Sequence, residues 1–208
     1  MLDAGSGLGG TSRHLAAGHG CRVTGIDLTP AYVETARILT EMTRREEVCS
    51  FHEGSVLDMP FDDNDIDAAV TFHVAMNIED RAGFYGEVAR VLKPGAPFCL
   101  FDVMKGRSDA LSFPLPWAGT ADTSFLKTPA ETRALVEAAG FRVTVERSLQ
   151  GFAQAFFRDV LRKAAETGPP PLGLHLLTGA NSPEKFRNYA LGLEAQALEP
   201  TIMIAVRT

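Results

Sequence analysis

Cysteine is scarce in this chain, and its spacing carries no chemistry. Cys21, Cys49 and Cys99 stand far apart with no Cys-x-x-Cys pair, which leaves zinc ligation and a thioredoxin-type centre without support. Each reads as a small core residue beside a strand. Their odd number, with no secretory leader pattern, fits a reducing, cytoplasmic setting. His19, His52 and His175 have no partner pattern for a metal, so none is expected. No apolar run nears the ~20 residues a bilayer span needs. No basic run is longer than Arg44-Arg45, and the net charge is −6, so broad attraction to nucleic acid is not expected. Internal repeats and long low-complexity tracts are also missing. The expected partner is a small molecule, neither nucleic acid nor a membrane, and the oligomeric state is open.

What the 208 residues do contain, at 45% hydrophobic and 22% charged, suits one α/β domain with a real core. Short apolar runs alternate with helical patterns. Leu2-Asp3 ends a first strand, and a helix follows the glycines after it. "RVTGID" (22–27) reads as a buried strand and "PAYVETARILTEMTRRE" (30–46) as a helix, with Pro30 in its first turn and Thr29 as cap. "VCSFHEG" (48–54) and "IDAAVTFHV" (66–74) read as strands three and four, and a helix is expected over 79–92. "PFCLFDV" (97–103) is a fifth strand. Thr128 caps a helix ahead of Gly140, and 141–149 and 201–208 read as strands six and seven. This alternation predicts a mostly parallel sheet with helices on both faces. The stretch 150–200, two helical segments broken by "TGPPPLG" (167–173), is expected to be a helical cap between strands six and seven within a single domain, 1–208. So little of strand one is present that residues upstream of Met1 are expected.

The stretch "LDAGSGLGGTSRHLA" holds a G-x-G-x-x-G spacing at Gly5, Gly7 and Gly10, with Ser6 inside the turn. Alone it is a weak signal for any nucleotide ligand. Glycines let the backbone turn tightly, and the following helix offers its N-terminal N–H groups. No lysine clamps a phosphate, so the loop is not of the Walker type. Asp3 separates the remaining options. A carboxylate beside this turn repels a pyrophosphate and attracts a cationic amine. S-adenosylmethionine (SAM) has such an amine, a carboxylate for the helix end and a sulfonium. Asp27, at the tip of strand two, can accept hydrogen bonds from both ribose hydroxyls, and Leu28 can pack on an adenine. After strand three, "EGSVLDMPF" (53–61) offers the Ser55 hydroxyl, the Val56 N–H and the Asp58 carboxylate to an adenine edge; the alternative is a solvated turn.

With these pieces in order, the chain resembles the class I SAM-dependent methyltransferases. It is most similar to the small-molecule branch that includes the ubiquinone/menaquinone C-methyltransferases and the sarcosine/dimethylglycine N-methyltransferases. The likeness rests on "LDAGSGLGGTSR", "VTGIDLTP", "EGSVLDMPFDDNDIDAAVTFHVAMNI" and "EVARVLKPGAPFCLFDV". It implies a Rossmann-like seven-stranded sheet in the order 3-2-1-4-5-7-6, with strand seven antiparallel. It also implies SAM contacts at Asp3, Gly5, Gly7, Asp27, Leu28, Ser55, Val56, Phe72 and His73. Ser55 stands where the family often has Asp, and Ala96 where a second glycine is common. The implied reaction is methyl transfer from SAM to an N, O or C atom of a small molecule. A catalytically silent SAM-fold protein and a nicotinamide oxidoreductase are the competing readings.

In-line methyl transfer needs no covalent nucleophile, so proximity, alignment and water exclusion are the protein's expected contributions. An acceptor that must lose a proton needs a base, and His73 is the candidate. Met76 and Asn77 follow on the same loop. Arg13, beside His14, is a candidate for the methionine carboxylate. The long connection 104–128 carries Phe113, Trp117 and Phe125, which either wall a pocket or pack on 150–200.

Overall fold

The computed structural model describes residues 1–168, 170–179 and 181–208. Seven strands form one sheet: β1 (Leu2–Ala4), β2 (Val23–Asp27), β3 (Cys49–Glu53), β4 (Ala69–Phe72), β5 (Pro97–Lys105), β6 (Phe141–Ser148) and β7 (Leu198–Arg207). Their spatial order is β3-β2-β1-β4-β5-β7-β6. The first five run parallel, and β7 runs antiparallel to both β5 and β6. The expected order and the antiparallel seventh strand are both present.

Side-chain alternation assigns the helices to faces. Leu2, Ala69 and Phe98 are cross-strand partners and point to one face. There they meet Phe84, Tyr85 and Val88 of α3 (Arg81–Val91) and Val136 of α4 (Pro129–Ala138) in the largest core cluster. Asp3, Gly25 and Phe51 share the opposite face. It is covered by α1 (Gly10–His19) and α2 (Pro30–Met42), which bring Ala16, Val33 and Ala36. On that same face Val103 and Leu198 pack with Ala153 of α5 (Gln150–Thr167) and Tyr189 of α7 (Ser182–Glu194). A one-turn helix, α6 (His175–Thr178), lies between α5 and α7. Pro169, within the predicted break at 167–173, lies outside the described residues.

Three local expectations are corrected. Strand four is four residues rather than nine. Its neighbour β1 offers only three, and His73, at φ +60, turns the chain out of the sheet. Helix α2 stops at Met42 rather than 46, ahead of Arg44 at φ +53. Thr29 occupies the cap position of α2 but makes no side-chain cap bond. Instead the Asp27 carboxylate accepts the Thr29 N–H at 2.9 Å. Thr128 does cap α4, in a reciprocal pair with Glu131, an arrangement that satisfies two helix-end donors at once.

Candidate cofactor and acceptor site

The glycine loop leaves β1 and folds back over β2. The N–H groups of Gly5 and Ser6 both donate to the Ile26 carbonyl at 2.9 Å. A Cβ on Gly5 would overlap the Val74 side chain, so this glycine admits the loop after β4. The third essential glycine is Gly9, not Gly10. Gly9 sits at φ +72 as the α1 cap, and a Cβ there would overlap the Phe51 ring. Gly10 is an ordinary first helical residue with open space around it. Gly9→Ala is therefore expected to destabilise the chain by about 2–4 kcal/mol through strain and overpacking. Gly10→Ala should be neutral or stabilise by up to ~1 kcal/mol. Urea melts of the two variants check this, and equal midpoints would contradict it.

Two carboxylates flank this loop. Asp3 is buried and accepts the Ser12 hydroxyl at 2.6 Å. Burial, together with the nearby Asp27 charge, outweighs that bond and raises its pKa to about 6. Asp27, half-buried at the tip of β2, accepts the Gly7 N–H at 2.8 Å with one oxygen and the Thr29 N–H with the other. It thereby staples the glycine loop to the start of α2. Each oxygen keeps a second lone pair for a ligand hydroxyl. Beside it Leu28 is 72% exposed, an uncovered apolar face.

Between these carboxylates α1 begins after Gly9 with no side-chain cap; the Ser12 N–H of its first turn is turned to Asp3, and the donors ahead of it can meet an anion. The Ser6 hydroxyl is buried without a partner. These features fit a ligand carrying an amine, a carboxylate and a ribose. Arg13 is turned away, donating to the Ala36 carbonyl at 3.4 Å and the Thr40 hydroxyl at 3.2 Å. His14 is exposed.

After β3 the chain makes a tight turn rather than a loose loop. Ser55 pairs with Asp58 in a two-residue bridge, and its hydroxyl accepts the Leu57 N–H at 3.1 Å. Val56 packs on the main core, and its N–H has no protein acceptor among the described residues. Asp58 is exposed. The following "DMPFDDND" is anchored by Arg90, whose guanidinium reaches the Met59 and Phe61 carbonyls, Glu87 and Asp63. That anchor, on α3, has no signature in the loop sequence.

Phe72 and His73 lead from β4 onto the opposite side of the loop. Both rings stand edge-on to Phe101 of β5, at centroid distances of 6.2 and 4.5 Å. The His73 N–H donates to the Phe101 carbonyl at 2.8 Å. The imidazole reaches solvent, yet the crowding of protein around it lowers its pKa to about 4. It is neutral at physiological pH. Beneath it the buried Asp102 carboxylate accepts the Met76 and Val103 N–H groups, each at 3.1 Å, and so pins the loop after β4 to β5. Burial raises the Asp102 pKa to about 7. Asn77 is exposed, its amide on the Val74 carbonyl.

His73, Met76 and Phe101 form one end of a cavity of about 400 Å³ that extends under α5–α7. Trp117 lines it, with its indole N–H on the Ser124 hydroxyl at 3.0 Å. Phe113 instead packs in the core cluster below α5 and α7, and the Phe125 backbone holds Met76 and Arg81. Asp102, Arg81, Ser12 and Tyr189 were not evident from the sequence. Ser12 and Asp102 lie within quoted segments but were given no role there, and all four meet the site through packing.

Residues 2–100 match the profile described as a methyltransferase domain. That match spans just under half of the chain. Among curated methyltransferases the chain is 36% identical over 100 residues to norajmaline N-methyltransferase of Rauvolfia serpentina, covering 48% of this chain and 34% of that one. It is 33% identical over 102 residues to a sterol 24-C-methyltransferase of Gibberella zeae, covering 49% and 27%. The chain thus matches about a third of the length of these relatives. The solved geranyl diphosphate C-methyltransferase of Streptomyces coelicolor A3(2) superposes with a TM-score of 0.79 at 16% identity, covering all of this chain and 70% of that one. That likeness shows the fold. The matched segment contains the glycine loop, both carboxylates, the turn at Ser55 and His73, but not the helices α5–α7 around the cavity.

Proposed function

We propose that this chain binds SAM across the tips of β1, β2 and β3 and transfers its methyl group to a small-molecule acceptor held in the cavity beyond His73. One observation carries the reading: two carboxylates at adjacent strand tips flank an uncapped helix end, and the cavity begins two strands away. The sulfonium of SAM supplies an already activated methyl carbon. The protein's own groups hold and orient. Asp3 takes a cationic amine, the open donors at the loop Gly5, Ser6, Gly7 and the start of α1 at Gly10 take a carboxylate, and Asp27 takes two hydroxyls. Leu28 and the Val56 N–H face a flat heterocycle, with Ser55 and Asp58 at its edge and Phe72 along the inner wall. His73, neutral at physiological pH, accepts a hydrogen bond from the acceptor without adding a positive charge beside a cationic donor. The segment α5–α7 acts as a cap that keeps water from the acceptor.

We place the protein in a reducing cytoplasm, on its three free cysteines. Among the described residues no helix is long and apolar enough to cross a membrane. The acidic balance argues against a nucleic-acid partner. Calorimetric titration tests the reading. Micromolar binding of SAM and of S-adenosylhomocysteine is expected, with no binding of NADH. Absence of heat with both adenosyl ligands would refute it.

A further inference from the structure

The cavity walls say more about the acceptor than the loop motifs do. Phe101, Trp117, Phe157, Phe186 and Tyr189 bring aromatic surface from β5, the following connection, α5 and α7 to one space. No Asp, Glu, Lys or Arg lines it. The Asp102 carboxylate, whose charge is felt at Tyr189, is outside the lining and already accepts from two backbone donors. Burying an ammonium or a phosphate here would leave its charge unpaired. The rings pack mainly against one another, Tyr189 edge-on to Trp117 at 6.0 Å and to Phe157 at 4.6 Å.

The polar groups of the wall are few, and most are already used. The Trp117 indole is bonded to Ser124, and the Thr178 hydroxyl to the Leu174 carbonyl at 3.2 Å. Two groups remain, the His73 imidazole and the Tyr189 hydroxyl. Tyr189 is 6% exposed, and its hydroxyl makes no hydrogen bond among the described residues. It is also not one of the side-chain atoms sealed off inside the protein, so it opens into the cavity. A hydroxyl free of protein partners on the cavity wall is available to donate to a bound acceptor.

We infer that the acceptor is a neutral, largely apolar molecule with one hydrogen-bond-accepting oxygen or nitrogen, oriented by the Tyr189 hydroxyl toward His73. This rests on the methyl-transfer reading for the site as a whole. Tyr189 is a specificity-determining residue, placed far outside the glycine-loop half of the chain. Small zwitterionic amines and phosphorylated acceptors are disfavoured by the same walls.

Trp117 is the chain's single tryptophan, so its fluorescence reports directly on the cavity. The test titrates the full chain, in the presence of S-adenosylhomocysteine, with three probes of one apolar shape. These are 1-adamantanol, 1-adamantanamine as the cation and adamantane-1-carboxylate as the anion. Saturable change with the alcohol, at least about tenfold tighter than with either ion, is expected. Tyr189→Phe should weaken the alcohol by about three- to tenfold, the equivalent of one neutral hydrogen bond, and leave S-adenosylhomocysteine affinity unchanged. Equal or tighter binding of either ion, or no response of Trp117 to any probe while the cofactor product still binds, overturns the inference alone. Loss of adenosyl binding with an intact response to the alcohol would instead sink the methyl-transfer reading.

Discussion

Asp3→Asn is expected to cost about a hundredfold or more in SAM affinity and yet raise Tm by roughly 5 °C. The two effects share one cause. Asp3 is held without a cation in the free protein, and burial lifts its pKa from 3.8 to about 6. Between those values the folded chain binds a proton that the unfolded chain has lost. Stability from this group therefore falls as pH rises through that window, and the cost is complete above about pH 6. At neutral pH that cost is on the order of 2–3 kcal/mol. Asparagine removes the charge and keeps the local bonds, because the Ser12 hydroxyl can accept from an amide as readily as it donates to a carboxylate. A cationic ligand loses its counter-charge entirely. Calorimetry and thermal melts of both proteins check the pair of effects. The wild-type affinity should also weaken as pH is lowered through about 6, where protons compete with the amine, and the variant should show no such slope. A variant that binds SAM normally would remove Asp3 from the site.

Asp27→Ala should lower SAM affinity by about a hundredfold and destabilise the free chain by about 2 kcal/mol. The affinity loss follows from two ribose hydroxyls left without their acceptor. The stability loss follows from the staple, since Asp27 takes the Gly7 and Thr29 N–H groups in the unliganded protein. This variant and Asp3→Asn thus move stability in opposite directions while both reduce binding. Equilibrium denaturation alongside calorimetry separates them. An Asp27→Ala protein of unchanged stability would show that the staple carries no energy.

The halves of the site differ in how much of them could be read in the sequence. The carboxylates and glycines of the first half lie within a few residues of strand tips, and strand–turn–helix geometry fixes where such positions point. Asp3, Asp27 and the Ser55 turn are accordingly where the pattern puts them. Thr29 holds the cap position without a side-chain cap bond, and the nearby Asp27 carboxylate instead fixes the start of α2 by accepting the Thr29 N–H. Which glycine cannot carry a side chain has a different origin. G-x-G-x-x-G selects Gly10 by spacing, but the residue that cannot carry a side chain is set by Phe51, which arrives from β3 some forty residues later.

What the sequence determined on its own was the alternation of strands and helices and the glycine loop with its flanking carboxylates, because each depends on neighbours in the chain. Tertiary structure alone decided the rest. His73 is neutral, the Asp102 pKa is raised to about 7, and Tyr189 lines an aromatic cavity, because distant elements crowd around them. Desolvation and cavity shape are properties of packing, made by α5, α7, β5 and the 106–128 connection together. No local pattern in any one of these segments contains them.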